Sequence, residues 1–198
     1  MLFRSPLEFV RSAVHAAETL LPPSLGKIWE LRHLAMDAAK VGTKRVSHAA
    51  VTESRQTEVD LEKLPLLQLW PDDGGHFVTL PLVYTESPTD KKHNLGMYRI
   101  QRYDGSTTGI HWQIGKGGGF HYYEAEQLGR SLDATIFLGG PPALILSAIA
   151  PLPEGLPELM LASLLQGSKL AITQNPLGSD RHRLIAEAEF AICGHVKP

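Results

Sequence analysis

The chain has 198 residues, 43% of them hydrophobic and 20% charged, with a formal net charge of −2. That length supports one sizeable domain with a helical arm, and the mixture is an ordinary globular one. The near-neutral charge offers no basic field to nucleic acid or an anionic membrane, and the single cysteine, Cys193, excludes an internal disulfide and any multi-cysteine metal site.

In chain order, Leu7, Val10, Val14 and Ala17 recur at helical steps until Pro22 and Pro23 break the pattern. Ser24 can cap a second helix, with Ile28, Leu31 and Ala35 on one face, that stops near Gly42. The N-terminus lacks a signal peptide's charged start and long apolar stretch, and the apolar run 143–150 is too short to span a bilayer. A cytoplasmic protein without stable membrane insertion is the expectation. Residues 47–62 are polar and mixed and read as a linker, so 1–62 is expected to be a helical arm and linker.

From residue 64 the texture changes. LPLLQLW, HFVTLPLVYT, GMYRIQRYD and TTGIHWQIG read as strands, separated by turns at 71–75 and 104–105. A helix over 122–129, a strand in ATIFLGG, helices opened by Pro141 and Pro157 (the second ending at Gly167), and strands in KLAIT and AEAEFAICGHV complete the pattern. The fold class predicted is α+β, an antiparallel, strand-rich sheet or partial barrel over 63–198 with helices on its outside.

Three stretches could carry chemistry. In a strand, Met97, Arg99 and Gln101 share one face and Tyr98 and Ile100 the other. An inward Arg99 suits a carboxylate or phosphate, whereas an outward one is merely solvated. Asn94 is either a turn residue or an oxygen donor to a hard metal ion. In HWQIGKGGGFHYY, Lys116 among Gly115, Gly117, Gly118 and Gly119 can gather backbone N–H groups and an ammonium around an anion, or the stretch is a bare flexible loop. It is neither a Walker loop nor a dinucleotide motif, because Gly117 stands where Ser or Thr must follow the lysine and Phe120 occupies the third glycine position. His111 and Gln113 share a face, with Trp112 opposite. Glu158 falls in the first turn of the Pro157 helix, where the helix dipole alone would favour it.

As a set, these stretches resemble UbiD-family decarboxylases over nearly all of residues 62–198, and the resemblance implies that residues 1–62 are the tail of an N-terminal domain. The resemblance rests on LPLLQLWPDDGGHFVTLPLVYT, HNLGMYRIQRYDGSTTGIHWQ, GGPPALILSAIAPLPEGLPE and LIAEAEFAICGHV, above all on the spacing from Asn94 to Arg99 followed by a tryptophan-containing strand and P-x-P-E-x-x-x-E. It implies a split-barrel flavin-binding domain and non-oxidative removal of CO2 from an aromatic or α,β-unsaturated acid with prenylated FMN. By the same resemblance Asn94 and Glu158, with His121 added in some members, hold manganese or magnesium against the flavin phosphate, and potassium is bound nearby in some members. Met97, Tyr98, Arg99, His111, Trp112, Gln113, Lys116 and Gly117 match segments lining the flavin, and Arg99 matches the catalytic arginine that holds the substrate carboxylate.

The resemblance also implies a flavin prenyltransferase as the cofactor's source, a small aromatic acid as substrate, and association into homo-oligomers or with the rest of the enzyme. WPDDGGHF and IGKGGGFHYYEAE look most like members linked to menaquinone synthesis; ubiquinone-type 4-hydroxybenzoate derivatives are the other substrate class. The family's proton-donating E-G-P-[FY]-G-[DE] segment is not among the 198 residues, and Cys193 stands where many relatives carry Glu. The expectation is therefore a piece of a longer decarboxylase, with a non-catalytic flavin-binding module or remnant as the alternative. Glu187, Glu189 and Cys193 are the substitutes for a proton donor within the chain.

Overall fold

The computed structural model describes residues 40–113, 115–152, 157–178 and 182–198. The two helices expected before residue 40 lie outside them. A four-stranded antiparallel sheet in the order β3-β2-β6-β9 forms the centre, from β2 (Leu82–Glu86), β3 (His93–Met97), β6 (Leu132–Leu138) and β9 (Phe190–Val196). Beside it lie a three-stranded sheet of β1 (Thr43–Arg45), β7 (Leu170–Thr173) and β8 (Leu184–Ile185), and a ribbon of β4 (Ile100–Arg102) and β5 (Thr108–Ile110). Three α-helices, α1 (Gly117–Gln127), α2 (Pro142–Ile149) and α3 (Glu158–Gln166), and two single-turn 3-10 helices, Ala50–Thr52 and Leu61–Lys63, complete the described elements.

Both faces of the central sheet are covered, which explains why LVYT in β2 is buried throughout rather than alternating. On one face Leu82, Leu95 and Phe137 pack with Leu144 of α2, Leu159 of α3 and Leu170 of β7. On the other, Val83 and Ile136 pack with Val78, Tyr98 and Ile100 at the ribbon. The α+β, strand-rich class is as the sequence predicts, and α2 and α3 begin after Pro141 and Pro157 as expected.

Several boundaries differ, each for a local reason. LPLLQLW forms no strand beyond one bridge, Leu67 to Phe77; Pro65 has no N–H to give a ladder, and Leu69 and Trp70 are exposed. HFVTLPLVYT becomes a strand only at Leu82, because Leu80 takes a positive φ of 49° and Pro81 cannot donate. The run GMYRIQRYD breaks at Tyr98–Arg99, between β3 and β4. TTGIHWQIG stops pairing at Ile110, although Trp112 points inward and His111 and Gln113 outward, as alternation predicts. The helix expected over 122–129 starts five residues earlier, at Gly117.

The polar segment 47–62 is not a free linker. β1 runs parallel to β7, the Val51 N–H donates to Ala186, and buried Leu61 donates to the Gly105 carbonyl at 2.7 Å. Polar residues there bond to the main chain, a role composition cannot distinguish from solvation.

Phe137 is fully buried between the layers. Phe137→Ala should lower unfolding stability by about 3–5 kcal/mol in a urea titration.

Candidate functional site

Strand β3 is an edge of the central sheet, so one side of its backbone faces no other strand. The N-terminus of α3 closes on that edge: the Glu158 carboxylate accepts the Leu95 N–H at 3.3 Å. The N-terminus of α1 approaches the same strand from the other layer. The two helix starts, β3 and the segment after α2 enclose a cavity of about 490 Å3.

That cavity brings together Asn94, Met97, Tyr98, Gln113, Lys116, Gly117 and Glu158. Asn94 and Glu158, sixty-four positions apart by number, thus line one space. The Asn94 side chain donates through Nδ2 to the Tyr98 hydroxyl at 3.2 Å, which turns Oδ1 toward Gly117. The same hydroxyl accepts the Gly118 N–H at 3.0 Å. Burial pushes the Tyr98 phenol above its usual range, against the opposing pull of those two donors, so it stays protonated at neutral pH.

The glycines are explained by contact. A Cβ at Gly117 would overlap the Asn94 side chain, and one at Gly118 would lie 2.7 Å from the Trp112 ring and 2.8 Å from the Tyr98 hydroxyl. Only a backbone without side chains reaches β3 this closely, and it carries the helix start with it. Trp112 packs edge-on against Tyr98 at 5.0 Å and stacks on Tyr122 at 6.1 Å, which backs the wall.

In electrostatic terms, the first turn of the 11-residue α1 contains no acid, and Lys116 occupies its N-cap position. Backbone N–H groups, a helix dipole and an ammonium converge there, an arrangement suited to a phosphate. The Asn94 carboxamide oxygen and Glu158 carboxylate are hard oxygen donors of the type magnesium and manganese accept. A phosphorylated cofactor bridged by such an ion fits the donors present.

Four predicted site residues do not line the cavity: Trp112, which backs its wall, and His121, His111 and Arg99. His121 is buried on α1 with Nδ1 2.9 Å from the Thr85 hydroxyl, one strand over from Asn94, its paired residue. Burial depresses its pKa, partly offset by Glu124 and Asp90. His111 is exposed. Arg99 lies past the break in β3 and is turned outward: its guanidinium binds Asp73 at 2.9 Å and covers the Phe77 ring at 3.9 Å. Gln101 shares that direction, donating to the Gly74 carbonyl at 2.6 Å, so Arg99 and Gln101 strap down the turn 71–75 while Met97 faces the cavity. The single face predicted for all three fails because the strand breaks between them. Glu189 and Cys193 line a different cavity beside β9, where the Asn175 amide donates to the Cys193 sulfur at 3.3 Å.

Sequence reasoning missed the Tyr98 hydroxyl as the organising atom, Asp73 as the partner of Arg99, and the wall from Ala148 to Leu152. Only Asp73 left a signal, its place in the turn that precedes the strand.

A family model described as the 3-octaprenyl-4-hydroxybenzoate carboxy-lyase Rift-related domain (UbiD) matches residues 42–198. A Chlamydia pneumoniae protein, named as one of the subunits of 4-hydroxybenzoate decarboxylase, is 48% identical over 172 residues, covering 87% of this chain and 29% of its own length. Among solved structures, an evolved dimeric form of the UbiD-class enzyme HmfF from Pelotomaculum thermopropionicum, in complex with prFMN, matches with a TM-score of 0.74 at 26% identity, over 85% of this chain and 40% of that one. Vanillic acid decarboxylase of Sedimentibacter hydroxybenzoicus in closed form matches with a TM-score of 0.74 at 25% identity, over 89% and 39%. The chain spans about a third of the length of the curated relatives it matches.

Replacing Gly117 by alanine forces its Cβ into Asn94. Gly117→Ala should cost about 1–3 kcal/mol in stability, measured by chemical denaturation. Asp73→Asn, which weakens a pair whose guanidinium is exposed and whose carboxylate is half-buried, should cost about 1 kcal/mol.

Proposed function

The chain belongs to the UbiD family of carboxy-lyases, and on that premise we propose that it forms the cofactor-binding part of a prenylated-FMN-dependent decarboxylase acting on an aromatic or α,β-unsaturated acid. The observation that carries the proposal is the cavity in which Asn94, Glu158, Lys116 and the glycine start of α1 meet.

In this reading Asn94 and Glu158 hold manganese or magnesium, Lys116 and the N-terminus of α1 bind the flavin phosphate, and Met97, Tyr98 and Gln113 flank the ring system. His111, Trp112 and His121 act from outside the cavity: Trp112 buttresses Tyr98, and His121 fixes the strand behind Asn94. Prenylated FMN, when bound, supplies the electron sink that loss of CO2 requires. Arg99 orients the substrate carboxylate by paired N–H donation, taking it in exchange for Asp73, and so fixes the bond to be broken. The cofactor is supplied by a flavin prenyltransferase. The substrate is a bicyclic or 4-hydroxybenzoate-type acid of quinone biosynthesis, handled in the cytoplasm by an oligomer or by this chain joined to further protein.

The second reading, a flavin-binding module without turnover, is favoured by one observation. Glu158 is the sole carboxylic acid among the described residues lining the cavity, and as a metal ligand it cannot also donate a proton. Purified chain, prenylated FMN, Mn2+ and 4-hydroxybenzoate, assayed for retained flavin absorbance after desalting and for CO2 release, tests both. The expected result is retained flavin with little or no CO2. Turnover of about 1–10³ per second would show that the chain holds its own acid; no retained flavin would refute the cofactor reading.

A further inference from the structure

Successive residues of β3 serve opposite sides of the sheet. Asn94 faces the cavity already described; His93, its neighbour, faces a second one of about 510 Å3 between the central and the three-stranded sheets. Arg45 of β1 and Arg183, just before β8, stand at its mouth. Strand register accounts for their convergence. Arg45 pairs with Ile172 and Ile172 with Ile185, so the three lie in one row on one face, and Arg183 precedes Ile185 by two. Adjacent strands are about 4.8 Å apart, so two strands separate the arginine backbones by roughly 10–12 Å, within the joint reach of two long side chains.

The lining divides by chemistry. Neither guanidinium forms an ion pair with an acid among the described residues. The one carboxylate, Glu86, accepts the Tyr84 hydroxyl at 2.9 Å. Beneath lie Leu159, Ile172 and Ile185, with the Tyr84 and His93 rings stacked at 5.6 Å. The buried Nε2 of His93 has no hydrogen-bond partner. A carboxylate satisfies one guanidinium; a phosphate, with three terminal oxygens, satisfies two. The cavity is larger than a phosphate alone, and its floor is apolar.

We infer that this second cavity binds a phosphate monoester with a compact apolar or aromatic body, the phosphate between Arg45 and Arg183 and the body on Ile172, Leu159 and the Tyr84–His93 pair. This site is separate from the proposed flavin site and stands whether or not that reading holds.

Phenyl phosphate and inorganic phosphate, titrated calorimetrically into the full chain with EDTA and at constant chloride, are the probes. Phenyl phosphate should bind saturably, at least tenfold more tightly than inorganic phosphate. The double variant Arg45→Gln/Arg183→Gln should weaken it tenfold or more, while Lys116→Gln, in the other cavity, should leave it unchanged. Both arginines are exposed, and an unchanged melting profile verifies that the double variant folds. Absence of saturable binding, equal affinity for the two probes, insensitivity to the double variant, or loss on Lys116→Gln would each overturn the inference.

Discussion

The buried hydroxyl of Tyr98 ties the end of β3 to the first turn of α1, accepting from Asn94 on one side and from the Gly118 N–H on the other. Everything at the cavity depends on that closure. It presents the carboxamide oxygen of Asn94 toward the space that Glu158 enters from α3, and it places Lys116 and an acid-free helix start over the same space. The cost is side-chain volume on α1, which is why three glycines open that helix. An alanine at the first would strike Asn94, and at the second Trp112 and Tyr98.

The break in β3 matters as much as its pairing. Had the strand continued through Arg99, the guanidinium would have followed Met97 toward the cavity. Instead the chain turns into β4, and Arg99 joins Gln101 in holding the turn 71–75. The arginine the resemblance names as catalytic therefore starts from a carboxylate already in place, that of Asp73. A substrate carboxylate would have to compete with Asp73, whose side chain is 18% exposed, for a guanidinium that is 63% exposed.

What could be read from the sequence follows a physical line. Helices opened by Pro141 and Pro157 were legible because a fixed φ and a missing N–H act locally. The alternation at His111–Gln113 was legible because extended backbone sends successive side chains to opposite sides, even past the last paired residue of β5. LPLLQLW and the start of HFVTLPLVYT were not, since apolar residues near Pro65 and Pro81 look strand-like whether or not a neighbour accepts them. The inclusion of 43–62 in the fold was hidden because parallel pairing of β1 with β7 joins residues more than 120 apart (170 − 43 = 127). For the site, residue types alone left Asn94, Lys116 and Glu158 open to a bland role each, and the family resemblance singled them out; they do share a cavity. The outward turn of Arg99 and the position of His121 behind Thr85 depend on a strand break and a helix offset that no pattern announces.

The proposed chemistry turns on whether Asn94 and Glu158 bind one hard metal ion that also meets a phosphate. Electron paramagnetic resonance of Mn2+ titrated with the chain, followed by FMN, reads both contacts in one experiment. The expected result is loss of the aqueous Mn2+ signal at one ion per chain, phosphorus hyperfine coupling once FMN is added, and loss of both in Asn94→Ala and Glu158→Gln. An unaltered aqueous signal, or coupling that survives both substitutions, would contradict a metal held by this pair.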